Sequence, residues 1–174
     1  MSRRLPWLRT LKGVLDRKDC ALVLKHVEMC GGYSRDEVPD CRRTDVFDIP
    51  LGTLPWLTAK FENVFQSQNM WKLQTSGLYS VLRVQRYRRG DYIERHIDYD
   101  YLIGDHTKLT AVVQLIDREA WSGGTLYVGN DMETPTLEMG DAVIFPSFAI
   151  HQVSKIRSGQ RLTLAAWAMG DPMV

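Results

Sequence analysis

The sequence predicts a mainly β domain of the α+β class, in which two N-terminal helices buttress a sandwich or barrel of short strands. Two observations lead to this prediction. Before about residue 75, apolar residues recur with the period of amphipathic helices. After about residue 78, short apolar or alternating runs follow at regular spacing, separated by glycine and proline. Such a series of short strands is typical of all-β sandwiches and barrels.

Length and composition favour one globular domain. The chain has 174 residues, of which 44% are hydrophobic and 25% charged. We expect a single domain over residues 1–174, with a helical part at about 1–75 and a β core at about 76–170. The 22 basic and 21 acidic residues give a net charge of +1, which argues against a general nucleic-acid or membrane-surface binder.

The same composition sets expectations about location. No apolar run reaches the 18 residues of a membrane-spanning helix, and Met1–Thr10 lacks the apolar segment of a secretory signal. The three cysteines are odd in number and have no C-x-x-C spacing, so we expect reduced thiols. We therefore expect a cytoplasmic protein with no membrane partner. The oligomeric state is left open.

Local signals place the first two helices. The first begins after Asp16, a good capping residue, and ends at Gly31-Gly32. The second begins near Pro55, which suits a first helical turn, and extends through Phe65. Between them we expect Tyr33–Pro50 to be a plain polar connector, in preference to a loop over the substrate. It could contain one short strand at Thr44–Ile49.

Seven strands are predicted in the second part of the chain, with glycine-rich turns such as Arg89-Gly90-Asp91 between them. They are Leu78–Tyr87, Tyr92–Tyr99, Leu109–Ile116, Thr125–Val128, Ala142–Phe145, Ile150–Ile156 and Arg161–Trp167, the last two separated by residues 157–160.

One of these strands carries the first chemical signal, His96-Ile-Asp98. Side chains two residues apart on a strand share a face, at about 7 Å along the backbone, so both could bind one ion. A polar strand edge is the alternative, because H-x-D is common by chance. His151 adds an imidazole after an apolar segment, where it is either a ligand or a core histidine. Together the three have the composition of the 2-His-1-carboxylate triad that binds Fe(II).

Arg161 adds a cation ten residues after His151, at the start of an apolar strand. A buried strand seldom carries arginine unless the guanidinium has an anionic partner. Arg161 could therefore hold a carboxylate in a bidentate pair. The alternative is an arginine at a strand end that faces water.

The order of these motifs resembles the 2-oxoglutarate and Fe(II)-dependent oxygenases, most closely their prolyl-4-hydroxylase-like branch. The resemblance covers roughly residues 41–170. It depends on Cys41–Val46, Tyr87-Arg-Arg-Gly90 leading to His96-Ile-Asp98, Leu109–Asp117, Gly123-Gly-Thr-Leu126, Gly140–Pro146, and His151 with Arg161 and Trp167.

The resemblance implies a double-stranded β-helix, or jelly roll, with iron inside one open end. It implies that His96, Asp98 and His151 are the iron ligands and that Arg161 binds the distal carboxylate of 2-oxoglutarate. Tyr87 would hydrogen-bond this cosubstrate. Where the family often has Tyr-Leu-Asn, this chain has Gln114-Leu-Ile116. The Gln114 amide would therefore replace one hydroxyl that contacts the cosubstrate. Implied cofactors are Fe(II), 2-oxoglutarate and O2, with ascorbate as a candidate reductant.

The implied activity is hydroxylation of a C–H bond with decarboxylation of 2-oxoglutarate to succinate. The leading substrate hypothesis is a prolyl or similar residue of a peptide or protein, and the nearest alternative is a free amino acid or other small metabolite. A nucleic-acid substrate is not expected. Demethylases of the superfamily carry an Arg-x5-Arg pattern, and this chain has Trp167 where the second arginine would be. From a different class, a non-catalytic metal-binding jelly-roll module remains an alternative.

Two further features have two interpretations each. Five arginines between residues 83 and 95 could attract an acidic or phosphorylated partner, although alternation along strands favours a solvated edge. Trp167 is expected to pack the jelly roll in preference to contacting substrate.

Overall fold

Residues 6–99 and 106–172 are described by the computed structural model of the protein. Strands make up 42% of the structure and helices 19%, and the sheet is antiparallel and curled. The mainly β fold class and the jelly-roll core predicted from the sequence are therefore confirmed.

The two helices are Arg17–Met29 (α1) and Pro55–Gln68 (α2). A capping box starts α1, because the Asp16 carboxylate accepts from the Asp19 amide at 2.7 Å and the Asp19 carboxylate accepts from the Asp16 amide at 3.2 Å. Proline occupies the first turn of α2, where its missing N–H costs nothing. Both helices begin where the sequence predicts.

The described residues form thirteen strands. They are Arg9–Leu11 (β1), Ser34–Val38 (β2), Arg42–Pro50 (β3), Gly77–Leu78 (β4), Val81–Tyr87 (β5), Tyr92–His96 (β6), Thr107–Gln114 (β7), Trp121–Gly123 (β8), Leu126–Val128 (β9), Ala142–Pro146 (β10), His151–Val153 (β11), Ile156–Gly159 (β12) and Arg161–Met169 (β13).

Most of these strands form one curled sheet with the order β1-β10-β7-β13-β5-β3-β6-β11-β9. In addition, β2 pairs with β3 and β4 pairs with β13, whereas β8 and β12 form a separate two-stranded sheet. Neighbours distant in sequence are thereby brought together, such as β6 with β11. This pairing builds the candidate site.

Strand β13 separates the two cores of the molecule. Leu162 and Leu164 pack with Phe61 of α2 in the core between the helices and the sheet. The alternate residues Arg161 and Trp167 face the interior of the jelly roll, where they line a cavity. Each large apolar side chain buried between helix and sheet contributes about 1.5–3 kcal/mol to folding. The helices thus hold one face of β13 and leave its other face for the site.

The prediction of a plain connector over Tyr33–Pro50 was wrong, although the short strand that it could contain, Thr44–Ile49, lies within β3. The segment forms the antiparallel hairpin of β2 and β3, which turns at Asp40 with φ of 58°. Strand β3 continues into the main sheet by pairing with β5. Sequence analysis missed β2 because its residues are polar on both faces and are held through ion pairs instead of apolar packing.

Two predicted strands are shorter than expected. The run Tyr92–Tyr99 leaves the sheet after His96, because the Asp98 amide donates to the Ser147 carbonyl at 2.9 Å. The run Ile150–Ile156 is divided between β11 and β12, and residues 157–159 belong to β12 instead of a loop. Strands β1 and β8 were not predicted.

The arginines around β5 are paired within the fold. Arg86 donates two hydrogen bonds to Asp45, at 2.8 and 2.9 Å, and Arg83 binds both carboxylate oxygens of Asp48. Arg88 also contacts Asp45, at 3.1 Å. These three arginines therefore balance acidic residues of β3, which removes much of the basic surface that could attract an acidic partner.

Within residues 6–99 and 106–172, neither helix is both long and apolar enough to cross a membrane.

Candidate active site

Two histidines meet across the pair of strands β6 and β11. His96 ends β6 and lies directly opposite His151, the first residue of β11. Their ring centroids are 4.1 Å apart. Strand pairing thus brings together two imidazoles that are 55 residues apart in the sequence.

Main-chain carbonyls orient both rings in the same way. His96 Nδ1 lies 2.8 Å from the Glu94 carbonyl oxygen, and His151 Nδ1 lies 2.9 Å from the Ala149 carbonyl oxygen. A carbonyl can only accept, so each Nδ1 carries a proton and each Nε2 is the nitrogen left to bind a metal. This arrangement is the one that prepares histidine for a metal.

Asp98 supplies the third group from the bend that follows β6. Its Oδ1 lies 3.3 Å from His96 Nε2 and 3.4 Å from His151 Nε2. The ligand atoms of the three residues lie within 4.8 Å of one another. Sequence analysis placed Asp98 on a strand that extends to Tyr99, but β6 ends at His96. Asp98 nevertheless reaches the two imidazoles.

The charge state of the triad suits a cation. Burial alone would raise the pKa of Asp98, but the nearby histidines His151 and His96 hold it well below its usual range. Burial alone would lower the pKa of His96, but the hydrogen bond with Asp98 raises it. The carboxylate is therefore ionised at neutral pH. Two imidazole nitrogens and one carboxylate oxygen are the donor set of a facial Fe(II) site, so these residues fit that metal.

Two residues that sequence analysis did not assign to the site hold the other oxygen of Asp98. Thr110 Oγ donates to Oδ2 at 2.8 Å, and Trp167 Nε1 donates to the same atom at 2.9 Å. Thr110 and Trp167 are register partners on β7 and β13. Trp167 therefore fixes Asp98 in addition to packing. The sequence pointed to Trp167 through the family resemblance and through its place six residues after Arg161 on the same face of a strand, without indicating this role.

Arg161 is buried beside the triad, with 4% of its surface exposed, so the interpretation as a water-facing strand end was wrong. No carboxylate of the described residues lies within ion-pair distance of its guanidinium. Its Cζ lies 5.5 Å from the centroid of the Tyr87 ring. Burial lowers the pKa of Arg161. A buried, unpaired guanidinium is costly, so an anion bound beside Arg161 would be stabilised there.

A cavity of about 50 Å³ joins these groups. Its walls include Tyr87, Arg161 and Trp167 together with the triad. Tyr87 is fully buried, and burial raises the pKa of its hydroxyl to about 12. No described residue forms a hydrogen bond with that hydroxyl, which leaves it able to donate to a ligand.

Gln114 is buried on β7 but lies in the wall of a neighbouring cavity that also includes Arg161. Its Nε2 donates to the Leu162 carbonyl at 3.0 Å and to the Ile116 carbonyl at 3.3 Å. A carboxylate needs donors, and this amide nitrogen already has acceptors. Contact between Gln114 and a cosubstrate therefore stays a prediction that requires the amide to turn.

An opening of about 180 Å³ also has Asp98 in its lining. Its lining includes Tyr79, Arg83, Thr107 and Trp167. The rings of Tyr79 and Trp167 meet edge to face, with centroids 6.0 Å apart. The opening therefore connects an aromatic surface to the triad.

Comparison with known proteins agrees with this geometry. The family described as the 2OG-Fe(II) oxygenase superfamily matches residues 82–169, just over half of the chain. A PKHD-type hydroxylase of Maricaulis maris is 37% identical over 90 residues, which are 51% of this chain and 41% of that protein. A PKHD-type hydroxylase of Prochlorococcus marinus is 31% identical over 75 residues, 42% of this chain and 34% of that protein. The matched segments thus span less than half of either relative.

Two solved structures share the fold over nearly the whole chain. A prolyl-4-hydroxylase of Pseudomonas putida has a TM-score of 0.76 and 17% identity, covering 95% of this chain and 94% of that one. The viral collagen prolyl hydroxylase of Paramecium Bursaria Chlorella virus-1, in a 2OG complex, has a TM-score of 0.76 and 16% identity, covering 95% and 97%. At these identities the likeness concerns the fold.

Proposed function

This chain belongs to the 2OG-Fe(II) oxygenase superfamily, and we propose that it is a 2-oxoglutarate- and Fe(II)-dependent dioxygenase that hydroxylates a prolyl or similar residue. One observation carries the proposal: the buried Arg161 has no carboxylate partner in the described part of the chain and lines the same cavity as the triad. A structural ion pair would have supplied that partner from the protein. Here the missing anion is the cosubstrate.

In this proposal, His96, Asp98 and His151 hold the iron. Both imidazoles present Nε2, because their Nδ1 atoms donate to the carbonyls of Glu94 and Ala149. Asp98 presents Oδ1, because Oδ2 is occupied by two donors. Three protein ligands on one face leave the opposite positions open for cosubstrate and O2.

Arg161 is the proposed partner for the distal carboxylate of 2-oxoglutarate. Thr163 lies two residues further along β13 on the same face, and its buried hydroxyl has no hydrogen-bond partner among the described residues. A carboxylate bound by the guanidinium at this depth would be within a donor-rich environment, with the Tyr87 hydroxyl as a further donor. The unpaired groups thus fit a small dianion.

Bound iron, 2-oxoglutarate and O2 supply the oxidising chemistry, in which the substrate C–H becomes C–OH while 2-oxoglutarate becomes succinate and CO2. The chain's own residues position and shield these reactants. Apolar walls at Ile93, Val112 and Val153 line the triad cavity and keep water from it. Trp167 and Thr110 prevent the Asp98 carboxylate from rotating.

The aromatic opening beside Asp98 is the proposed path for the substrate. Tyr79 and Trp167 offer ring faces and edges to a pyrrolidine or another apolar side chain, and Thr107 adds a hydroxyl. Because the opening directly adjoins Asp98, a residue bound there would place a C–H bond near the metal. The names of the PKHD-type and prolyl-hydroxylase relatives agree with such a substrate.

The test is succinate formation from 2-oxoglutarate by Fe(II)-loaded protein, exposed to O2 with and without proline-containing peptides. We expect turnover that one or more peptides stimulate, with the hydroxylated residue identified by mass spectrometry. Omission of ascorbate would show whether a reductant is needed. His96→Ala is the inactive reference, and His26→Ala, a helical histidine outside the site, is the matched control.

Each alternative has its own result. Turnover that ignores every peptide but responds to a free amino acid would indicate a small-molecule hydroxylase. If folded, iron-loaded protein formed no succinate under any condition, the enzyme proposal would fail in favour of a metal-binding module.

A further inference from the structure

The aromatic opening beside Asp98 contains one cation, Arg83. It lines the opening together with Tyr79, Thr107, Trp167 and Asp98 itself. Because Asp98 is a proposed metal ligand, Arg83 supplies the only other charge among the described lining residues. The opening, at about 180 Å³, is several times larger than the roughly 30 Å³ of one water molecule, so it can take a short piece of a larger ligand. Arg83 is the charged group that such a ligand would meet.

Arg83 lies far from the groups proposed to bind 2-oxoglutarate. It shares one face of β5 with Gln85 and Tyr87, both of which line the triad cavity. Tyr87 is the register partner of Arg161, whereas Arg83 is the register partner of Ala165. The strand between Arg83 and Tyr87 spans about 13 Å, at roughly 3.3 Å per residue. The opening and the cosubstrate end are therefore separate places along the same strand.

Asp48 fixes the Arg83 guanidinium and leaves one of its nitrogens free. Arg83 Nε donates to Asp48 Oδ1 at 2.7 Å, and Nη2 donates to Oδ2 at 2.9 Å. The two residues are register partners on β5 and β3. The hydrogen bonds with Asp48 raise the pKa of Arg83, whose guanidinium is therefore charged. Nη1 keeps two N–H groups that have no acceptor within residues 6–99 and 106–172.

Two other polar groups of the opening already donate elsewhere. Trp167 Nε1 donates to Asp98 Oδ2 at 2.9 Å, and Thr107 Oγ donates to the main-chain carbonyl of Asp98 at 2.8 Å. The Tyr79 hydroxyl and Arg83 Nη1 are left as donors. Because a charged donor forms a stronger hydrogen bond than a neutral one, an acceptor on a ligand in the opening binds best at Nη1.

The charge balance favours a neutral acceptor. The Asp48 carboxylate already compensates the charge of Arg83, and Asp98, the other charged group of the opening, is also acidic. A carboxylate on the ligand would place a further negative charge beside these two. A main-chain carbonyl accepts the same hydrogen bond without that charge. The opening therefore suits a peptide better than a free amino acid.

We propose that Arg83 is a specificity residue whose Nη1 donates to a main-chain carbonyl of a peptide substrate, and that Asp48 makes it discriminate against carboxylates. This assignment rests on the proposed function, because it takes the opening as the path of the substrate. The two aromatic side chains of the opening, Tyr79 and Trp167, would contact the substrate side chain. Arg83 would recognise its backbone.

The direct test compares two probes that differ only in this acceptor, N-acetylproline N-methylamide and N-acetylproline. Each is titrated at constant ionic strength into metal-free, ¹⁵N-labelled protein, which has five tryptophans. The indole N–H signal of Trp167, identified with Trp167→Phe, reports on the opening. We expect a saturable shift, with the amide bound more tightly than the acid. In Arg83→Gln, affinity for the amide should fall roughly tenfold.

Two further variants separate this contact from a general effect of charge. Asp48→Asn removes the compensating carboxylate, so affinity for the acid should rise about two- to fivefold. Arg86→Gln is the matched control, because Arg86 also lies on β5 and binds an aspartate of β3, but its guanidinium lies over the Tyr33 ring, away from the opening. It should bind both probes like the wild type. The other indole signals report whether each variant is folded.

Several results of the titration would overturn the proposal. They are a Trp167 signal that neither probe shifts, a wild type that prefers the acid, and an affinity for the amide that is equal in Arg83→Gln and Arg86→Gln. Unchanged affinity for the acid in Asp48→Asn would overturn the role given to Asp48.

A kinetic measurement separates this assignment from the proposed function. In Fe(II)-loaded protein, Arg83→Gln should raise the KM for a stimulating peptide roughly tenfold, and the KM for 2-oxoglutarate much less. An equal rise in both KM values would overturn the assignment, because Arg83 would then act on the cosubstrate. If no peptide stimulates turnover, the proposed function fails, while the titration still decides whether Arg83 binds a carbonyl.

Discussion

Arginines occupy two contrasting environments in this molecule. Around strands β2, β3 and β5, Arg35, Arg86 and Arg88 surround the buried Asp45, and Arg35 also binds Asp91 at 2.7 Å. We call these residues the outer cluster. Inside the jelly roll, Arg161 is more deeply buried than any of them and has no carboxylate partner among the described residues. One region is internally neutralised, and the other is not.

The difference separates residues that stabilise the fold from residues that await a ligand. Ion pairs of the outer cluster link the β2–β3 hairpin to β5. An unpaired buried guanidinium has no such benefit and lowers stability until an anion binds. We therefore expect substitutions in the outer cluster to change stability, and substitutions in the interior to change binding and turnover.

The largest expected effect would come from removing a metal ligand. His96→Ala or His151→Ala should lower turnover by more than roughly 100-fold. Removing a residue that only orients a metal ligand costs up to about 100-fold, and here one of only three ligands is gone. The thermal midpoint of the metal-free protein should stay close to that of the wild type. Succinate formation and calorimetric scanning measure the two quantities. A large loss of stability without loss of turnover would break the contrast.

Asp45→Asn tests the outer cluster. It leaves three guanidinium groups around a neutral side chain, and we expect the free energy of unfolding to fall by about 2–3 kcal/mol. Urea denaturation measures this change, and turnover of the folded variant should stay within about twofold of the wild type. Asp48→Asn, at the exposed pair with Arg83, is the control and should cost less than about 1 kcal/mol.

Trp167→Phe tests how the interior orients its carboxylate. The variant keeps an aromatic ring but removes the donor to Asp98 Oδ2, so metal affinity should fall roughly tenfold. Trp71→Phe is the control, because its indole N–H donates to the Pro6 carbonyl instead. Competition with a metal chelator measures both. Equal metal affinity in Trp167→Phe and the wild type would show that Thr110 alone suffices.

The pH dependence of stability should differ slightly between wild type and Asp45→Asn. Burial alone would raise the pKa of Asp45, but hydrogen bonds from Arg86 and Arg35 hold it below its ordinary value. Its stabilisation is therefore present above the unfolded pKa of about 4 and is lost as the pH falls through the lower native pKa. Below about pH 5, the wild type should lose stability more steeply than the variant. Parallel pH profiles from urea denaturation would contradict this assignment.

The parts of the molecule that sequence could predict are those with local signals. A capping aspartate and a 3.6-residue period located α1, and the H-x-D spacing indicated the two residues of the triad nearest in sequence. His151 and Arg161 followed from composition together with a family resemblance. Each of these signals lies within a short stretch of chain.

The remainder depends on strand pairing between distant segments. Trp167 reaches Asp98 because β13 pairs with β7 in the register that places Trp167 opposite Thr110. Nothing local to Trp167 specifies that register. The β2–β3 hairpin was missed for a related reason, since its polar residues are held by Asp45 and Asp91 from the sheet.

The most direct test of the central claim is an anaerobic calorimetric titration of 2-oxoglutarate into metal-loaded protein. We expect one equivalent to bind the wild type, with affinity about 100-fold lower in Arg161→Gln, because the buried carboxylate loses its charged partner. Arg86→Gln, which removes an arginine that is already paired, should bind within twofold of the wild type. Equal affinity in Arg161→Gln and the wild type would contradict the claim that the unpaired interior arginine is the cosubstrate site.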